Sequence, residues 1–480
     1  MTDRDDIRYL AIDQGGHASR ASLFAENGRL VNSAAVAIAT RHPDPDQVEH
    51  DAEEMVASVY QAIAEVLRGT GSRRIIAAGL ATQRSSVVCW DKTNGTALSP
   101  VISWQDRRSA AWLQRFKDHA PDIQRRTGLP LSPHYGAGKL RWCLDHLPAV
   151  RSAQQKGRLA CGPLASFLGC RLTEERALCA DPANASRTLL WNLDDGDWDP
   201  VLAELFDIPL AVLPPCVATR HAYGHIPAGE RRIPLTLVTG DQSAALFATG
   251  DTRGGEVMIN LGTGAFLQQA MQRRPPTSRL LASLAYQDQT QRVYALEATV
   301  NGAGSALTWA AGQLHLEMAE IIHRLPDWLD ESENPPLFLN GIAGLGTPYW
   351  VPLFASRFVG DGSAPEKCVA VIESIAFLLQ RNLEEMARSA APAARITLCG
   401  GLSQFDGLCQ RLADLSGLPL SRPADHEATV HGLMRLLIGV TQHVSEAAAT
   451  SFLPRANPEL AARYREWLSE LEAAVSGLDN

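Results

Sequence analysis

No Cys-x-x-Cys pair occurs among the nine cysteines of this 480-residue chain, and nine is an odd number. A disulfide framework and a structural zinc site are therefore not expected; reduced thiols in the cytoplasm are. Basic surplus is lacking too. The 44 Lys and Arg against 53 Asp and Glu give a net charge of -9, which leaves nothing to neutralise the phosphates of a nucleic acid. Long apolar runs are also missing: no window approaches the roughly 20 residues of a membrane span, because Gly, Arg or Asp interrupts each one. Met1 to Ile7 is charged and lacks the basic-then-apolar order of a signal peptide. Neither a nucleic-acid nor a membrane partner is expected.

What is present fits two globular domains, since a single core stops growing at roughly 250–300 residues. Arg8 to Asp13 and Ala21 to Ala25 read as strands joined by a Gly-containing turn, with Arg29 to Val31 beginning a third strand. Asp51 to Arg68 carries Met55, Val56, Val59, Ile63 and Val66 at helical spacing, and Arg74 to Ala81 is the next strand. Mid-chain, Leu235 to Thr239 reads as a strand, followed by Gly240-Asp241-Gln242-Ser243 and an Ala-rich helix to Ala248. A strand at Glu256 to Asn260 and the turn Gly262-Thr263-Gly264 follow, similar to the first hairpin. The domain boundary is expected near Ala248 to Asp251. Arg273 to Ser278 and Glu331 to Pro336 read as surface loops, and Glu459 to Asn480 as a terminal amphipathic helix. No internal repeat is legible in residue identities.

The chemistry concentrates in turns that follow strands. A phosphate needs backbone N–H groups at close range, and glycine lets the main chain approach. Asp13-Gln-Gly-Gly-His17, Gly262-Thr-Gly264 and Cys399-Gly-Gly-Leu402 each supply that. Alone, each such turn is also ordinary structural punctuation, and Asp13 alone is also a turn residue or helix cap.

Their order along the chain adds a resemblance. Tyr9 to Phe24, Gln83-Arg84-Ser-Ser86, Trp104-Gln-Asp-Arg-Arg108, Lys139-Leu-Arg-Trp142 and Asp181-Pro-Ala-Asn-Ala-Ser-Arg187 come first. Gly240-Asp241-Gln242, Asn260 to Phe266, Gly344 to Trp350, Glu373 to Phe377, Gly400-Gly401 and Glu427 to Gly432 follow. In this order, over nearly the whole chain, the sequence resembles the FGGY carbohydrate kinases, and among them most closely the glycerol kinases.

The resemblance implies an α/β fold of two actin-like domains, of the ribonuclease H-like sugar kinase/actin superfamily, with a cleft between them. Residues 1–248 would carry the acceptor site and the catalytic base, and residues 249–480 most of the nucleotide site. It implies an ATP-dependent kinase acting on a hydroxyl of a small polyol or sugar, with Asp241 as general base and Asp13 as the carboxylate for Mg2+. Arg84, Ser85, Trp104, His134, Asp241, Gln242 and Phe266 would meet the acceptor. Gly15, Gly16, His17, Ser19, Arg20, Gly262, Thr263, Gly304, Gly400 and Gly401 would meet the nucleotide. Members of the family often form homo-oligomers, but no apolar stripe here identifies an interface.

The departures from that pattern are informative. Ser85 stands where a glycerol kinase has Glu, so Arg84 is expected to lose its neighbouring anion. The loss of one charge-assisted anchor is worth about 1.5–3 kcal/mol, which favours an acceptor larger than glycerol or differently substituted. His134 replaces a tyrosine and is read either as a packing residue or as a ligand of the acceptor. Gly16 and His17 replace two threonines, Cys399 and Val351 each replace an Asp, and Phe405 an Asn. These changes keep open a second reading, an ATP-binding actin-like sensor or regulatory paralogue without efficient phosphotransfer.

Overall fold

The computed structural model describes residues 7–70, 74–250, 252–332, 334–424, 427–439 and 449–478. Two large mixed sheets dominate. The first contains β1 (Ile7–Gln14), β2 (Ala18–Ala25), β3 (Leu30–Ala37), β4 (Arg74–Thr82), β5 (Arg220–Ala228) and β6 (Arg231–Gly240), in the order β5-β6-β4-β1-β2-β3. Strands β1 to β3 form an antiparallel meander, whereas β4 and β6 run parallel to β1.

The second sheet contains β7 (Glu256–Leu261), β8 (Ala265–Met271), β9 (Leu281–Gln287), β10 (Arg292–Val300), β11 (Arg395–Cys399), β12 (Leu420–Pro423) and β13 (Ala449–Phe452). Its order is β9-β10-β8-β7-β11-β12-β13. Here β10-β8-β7 are antiparallel and β11 and β12 run parallel to β7, so β10-β8-β7-β11-β12 repeats the pattern of β3-β2-β1-β4-β6. The duplication lies in pairing and direction, which survive when identities do not.

Helix α1 (Ala52–Leu67) opens on Asp51, whose side chain accepts from the backbone N–H groups of Glu53 and Glu54. Its Met55, Val56, Val59, Ala62, Ile63 and Val66 are buried with Leu10, Ile12, Leu23 and Leu80 of the first sheet. In the second half, α2 (Ala364–Ser389) crosses its sheet behind a Ser363/Glu366 capping box, and α3 (Pro458–Ser476) packs Tyr464 and Trp467 against Phe377 of α2. No helix among the described residues is long and apolar enough to cross a membrane. All nine cysteines are free thiols. Two expected boundaries shift: the Ala-rich helix stops at Ala245, and Glu331 closes the helix Met318–Glu331 rather than beginning a loop.

A third apolar cluster joins the halves. Ala11, Phe24, Ala81 and Leu237 of the first sheet pack with Tyr286 and Val293 of the second around Val430, Leu433, Met434 and Leu437. Those four belong to the helix Ala428–Ile438, which lies against the short helix Asp241–Ala245. Gly432 sits at that crossing, where a Cβ would collide with the carbonyl oxygen of Ala244. The two helix backbones can therefore touch only through a glycine.

Candidate active site

Strands β1, β4 and β6 end together: Gln14 and Gly240 both pair with Thr82. Open sheets place ligands at the carboxyl ends of parallel strands, and Asp13, Gln83 to Ser85 and Asp241 all lie there. The stem of Arg84 runs across Gly240, so closely that a Cβ on that glycine would stand 2.5 Å from Arg84 Cγ. This seats Arg84 Nε 3.9 Å from Asp241 Oδ1, which also accepts from the Gln242 N–H at 2.7 Å. Burial raises the Asp241 carboxyl, and Arg84 pulls against it.

Ser85 is buried at φ 63°, a left-handed conformation, and its Oγ has no hydrogen-bond partner. Lys139, fully buried, donates through Nζ to the Ser85 carbonyl at 3.1 Å and to the His134 carbonyl at 2.6 Å. One ammonium thus ties together the two loops that present Ser85 and His134. The Trp104 N–H donates to Ser86 Oγ, which donates to Gln83 Oε1, fastening the Trp104 loop to the same turn. Trp104 and His134 are neighbours, with ring centroids 5.5 Å apart and the ring planes tilted by 57°. Burial and the neighbouring Lys139, Arg187, Arg107 and Arg84 hold His134 well below the ordinary histidine range, so its imidazole is neutral.

Glu297, on β10, is the residue that sequence reasoning missed. Its Oε1 accepts from Arg84 Nη1 at 2.6 Å and from Gln268 Nε2 at 2.6 Å, and its Oε2 accepts from Arg187 Nη1 and from Ser283 Oγ. Burial pushes its carboxyl up, but Arg187 and Arg84 outweigh burial and hold it at about 2. The expectation that Arg84 lacks an anion is thereby corrected: the carboxylate comes from the second sheet instead of position 85. A lone Glu in the apolar run Val293 to Val300 was the available signal, because a charge on a buried strand requires a partner. Phe266 lies on β8 two residues before Gln268, and so on the same face.

On the phosphate side, Gly15 and Gly16 form the turn between β1 and β2, and His17 is exposed. Asp13 pairs across the hairpin with Arg20, which bridges to Glu427 at 2.9 Å. Ser19 is not brought here. It pairs with Gln14 on the opposite face of the hairpin, is fully buried, and meets Ser58 of α1 at 2.8 Å. The second hairpin presents Gly262 and Thr263. Onto that turn docks the start of the helix Gly304–Leu314, with the Gly304 N–H on the Gly262 carbonyl at 3.0 Å. A Cβ on Gly304 would stand 2.8 Å from that carbonyl, and one on Gly400, at φ 92°, would strike the Leu261 carbonyl. The glycines of 262, 304, 400 and 401 thus converge at the ends of β7 and β11, where Asn260 pairs with Cys399. A cavity between the halves is lined by Gln242 and Ala245 on one side, Met258, Asn260 and Cys399 on the other, and Glu427 to Thr429.

Asp13 Oδ1 is buried and has no hydrogen-bond partner. Burial, with repulsion from Asp241 and Glu427, raises its carboxyl to about 8 despite Arg20. An orphaned, buried carboxyl oxygen beside the Gly15-Gly16 turn suits a hard cation. Among the described residues no three His, Cys, Asp or Glu side chains form a metal cage. A single carboxyl of this kind suits Mg2+, which takes one or two carboxylates and completes its shell with phosphate and water.

Comparison with known proteins agrees with this geometry. Residues 8–248 match the N-terminal domain of the FGGY family of carbohydrate kinases, and residues 257–438 its C-terminal domain. The chain is 36% identical over 458 residues to a glycerol kinase of Trichlorobacter lovleyi, covering 91% of each. To a glycerol kinase of Alkalilimnicola ehrlichii it is 36% identical over 471 residues, covering 93% of this chain and 94% of the relative. In fold it is similar to the glycerol kinase of Plasmodium falciparum with ADP, at a TM-score of 0.88, 22% identity and 98% coverage of each. It is similar also to a xylulose kinase of Lactobacillus acidophilus, at a TM-score of 0.85, 21% identity and 98% coverage of each. The actin-like two-domain fold is therefore shared, and the chain belongs to the FGGY family of carbohydrate kinases.

Proposed function

We propose that the chain transfers the γ-phosphoryl group of ATP to a hydroxyl of a small polyol or sugar, with residues 1–248 carrying the acceptor and base and 249–480 most of the nucleotide site. The observation that carries the reading is the convergence of Asp241, Arg84 and Asp13 at one sheet edge, opposite the glycine turns of the other sheet. Phosphoryl transfer asks for positioning, charge neutralisation and a carboxylate within reach of the attacking oxygen. Asp241 takes the proton of the acceptor hydroxyl as its oxygen attacks phosphorus and the bond to the departing ADP breaks. Burial, by raising Asp241, brings the base nearer the working pH. Arg84, beside it, orients the hydroxyl, and Trp104 offers an aromatic face to the C–H face of a polyol.

Gly15, Gly16, His17 and Arg20 from the first hairpin, with Gly262, Thr263, Gly304, Gly400 and Gly401 from the second half, border the phosphates. Mg2+, when bound, would neutralise charge on the phosphate oxygens, with Asp13 as its protein carboxylate. Ser85, His134, Gln242 and Phe266 complete the acceptor wall. The relatives are glycerol kinases by name. The neutral Ser85 and the imidazole of His134 favour a longer or carbonyl-bearing acceptor here. ADP release with Mg-ATP, measured against glycerol, erythritol, pentitols and ketoses, tests the reading. Stimulation by one acceptor supports it. Nucleotide binding with no acceptor-stimulated turnover would leave a sensor in its place.

A further inference from the structure

Glu297 has four donors on its two oxygens, from Arg84, Gln268, Arg187 and Ser283, and is 3% exposed. Its hydrogen-bonding capacity is full, so it has nothing left to offer a substrate. What it holds is more informative. Arg84 leads one way, along Gly240 to Asp241. Arg187 leads the other way: its guanidinium lies 5.2 Å from the Tyr135 ring, Tyr135 packs edge-on against His134 at 5.0 Å, and His134 lies tilted beside Trp104 at 5.5 Å. Two walls of the acceptor pocket, one bearing the base and one aromatic, are therefore anchored on a single carboxylate. That carboxylate is delivered by the other half of the molecule, on β10, and is fixed there by its cross-strand neighbour Gln268.

We propose that Glu297 is a positioning residue for the acceptor: docking of the second sheet onto the first sets Arg84 and Arg187, and through them both walls of the pocket. The inference rests on the kinase reading above, since it presumes an acceptor between Arg84 and Trp104. It links the two halves of the reaction by geometry. When the second domain is displaced, Arg84 loses its 2.6 Å partner and keeps only Asp241, toward which it is free to swing. A carboxylate tied to the neighbouring guanidinium is a poorer acceptor for a hydroxyl proton. The pocket is thus complete only in the docked arrangement, where water is also excluded.

The test is Glu297→Gln, which keeps shape but removes the charge and turns an amide toward the arginines. Steady-state kinetics with the best acceptor of the panel should show its KM raised by about tenfold or more and its kcat/KM lowered by roughly 10²-fold, the scale of a small misplacement. The KM for Mg-ATP should stay within about twofold. A structural ion pair alone would lower the melting temperature and the amount of active enzyme, but would not single out the acceptor KM.

Loss of one partner of a buried pair can prevent folding, so Arg187→Met provides a second arm. It leaves Glu297 paired with Arg84 and should raise the acceptor KM and change the ranking of acceptors, with kcat at saturation held within about threefold. Folded variants with wild-type acceptor KM and ranking overturn the proposal and leave the kinase reading standing. A wild-type protein that turns over no acceptor overturns both, since Glu297 would then have nothing to position.

Discussion

Replacing Lys139 by Met tests how the acceptor loops are held. The ammonium is fully buried, donates to the carbonyls of Ser85 and His134, and has no carboxylate at salt-bridge distance among the described residues. Hydrogen bonds from a charged donor are worth about 1.5–3 kcal/mol each. Two of them give about 3–6 kcal/mol, from which the cost of burying the ammonium must be taken. That cost is visible in Lys139 itself, since burial, followed by Arg107 and Arg108, holds it well below the ordinary lysine range despite Asp106. A net loss of about 2–4 kcal/mol follows, because two buried carbonyls are also left unsatisfied. For a domain of this size each kcal/mol shifts the melting temperature by about 2–4 °C, so a fall of roughly 5–15 °C is expected. Ser85 adds a functional readout. Its left-handed backbone costs of order 1 kcal/mol or more, and the Lys139 bond helps to hold it there. Once released, the loop relaxes and the acceptor KM rises while nucleotide affinity holds. Differential scanning calorimetry and acceptor kinetics on one preparation decide the matter. An unchanged melting temperature together with an unchanged acceptor KM refutes the reasoning.

Asp241→Asn should lower kcat by about 10²–10⁴-fold with nucleotide binding retained, and a variant keeping more than about a tenth of the activity would remove Asp241 from the role of base. Asp13→Ala should weaken Mg2+-dependent nucleotide use, with partial recovery at high Mg2+; an unchanged Mg2+ dependence would leave Asp13 a structural residue of β1. Asp13→Asn carries a stability signature as well. The folded carboxyl at about 8 lies above its ordinary 3.8, so between those values the folded state keeps a proton that the unfolded state has lost. Stability of the ligand-free protein therefore falls as pH rises from about 4 to 8. Thermal scans at pH 5 and pH 8 should show the Asn variant gaining most at pH 8, and equal gains would contradict the raised carboxyl. Ser85→Glu should improve kcat/KM for glycerol at the expense of the preferred acceptor; if wild-type already prefers glycerol within the panel, the specificity argument fails.

Local signals made the fold legible. The hairpin of β1 and β2, the amphipathic α1 and the strand before Asp241 each announce themselves within about 15 residues, the range over which periodicity works. The candidate site was legible where glycine turns follow strands, as at Gly15, Gly262 and Gly400. Ser19 failed for a reason of parity: adjacent residues on a strand face opposite sides, so Arg20 at the cleft obliges Ser19 to face α1. Glu297 escaped because its two arginine partners lie 213 and 110 residues away in sequence, and no local pattern encodes such a meeting. The twofold repeat of sheet topology was hidden likewise, since each pairing is a long-range fact.

The glycine contact at residue 432 bears on how this enzyme could be given a new substrate. With no atom between the backbone of Gly432 and the Ala244 carbonyl, the short helix that begins at Asp241 cannot retreat to enlarge the pocket. Gly240, filled by the stem of Arg84, closes the same route from the other side. A library aimed at altered specificity therefore gains its diversity from the side chains at 85, 104, 134 and 266. Variation at 240 or 432 would spend clones on displaced catalytic geometry.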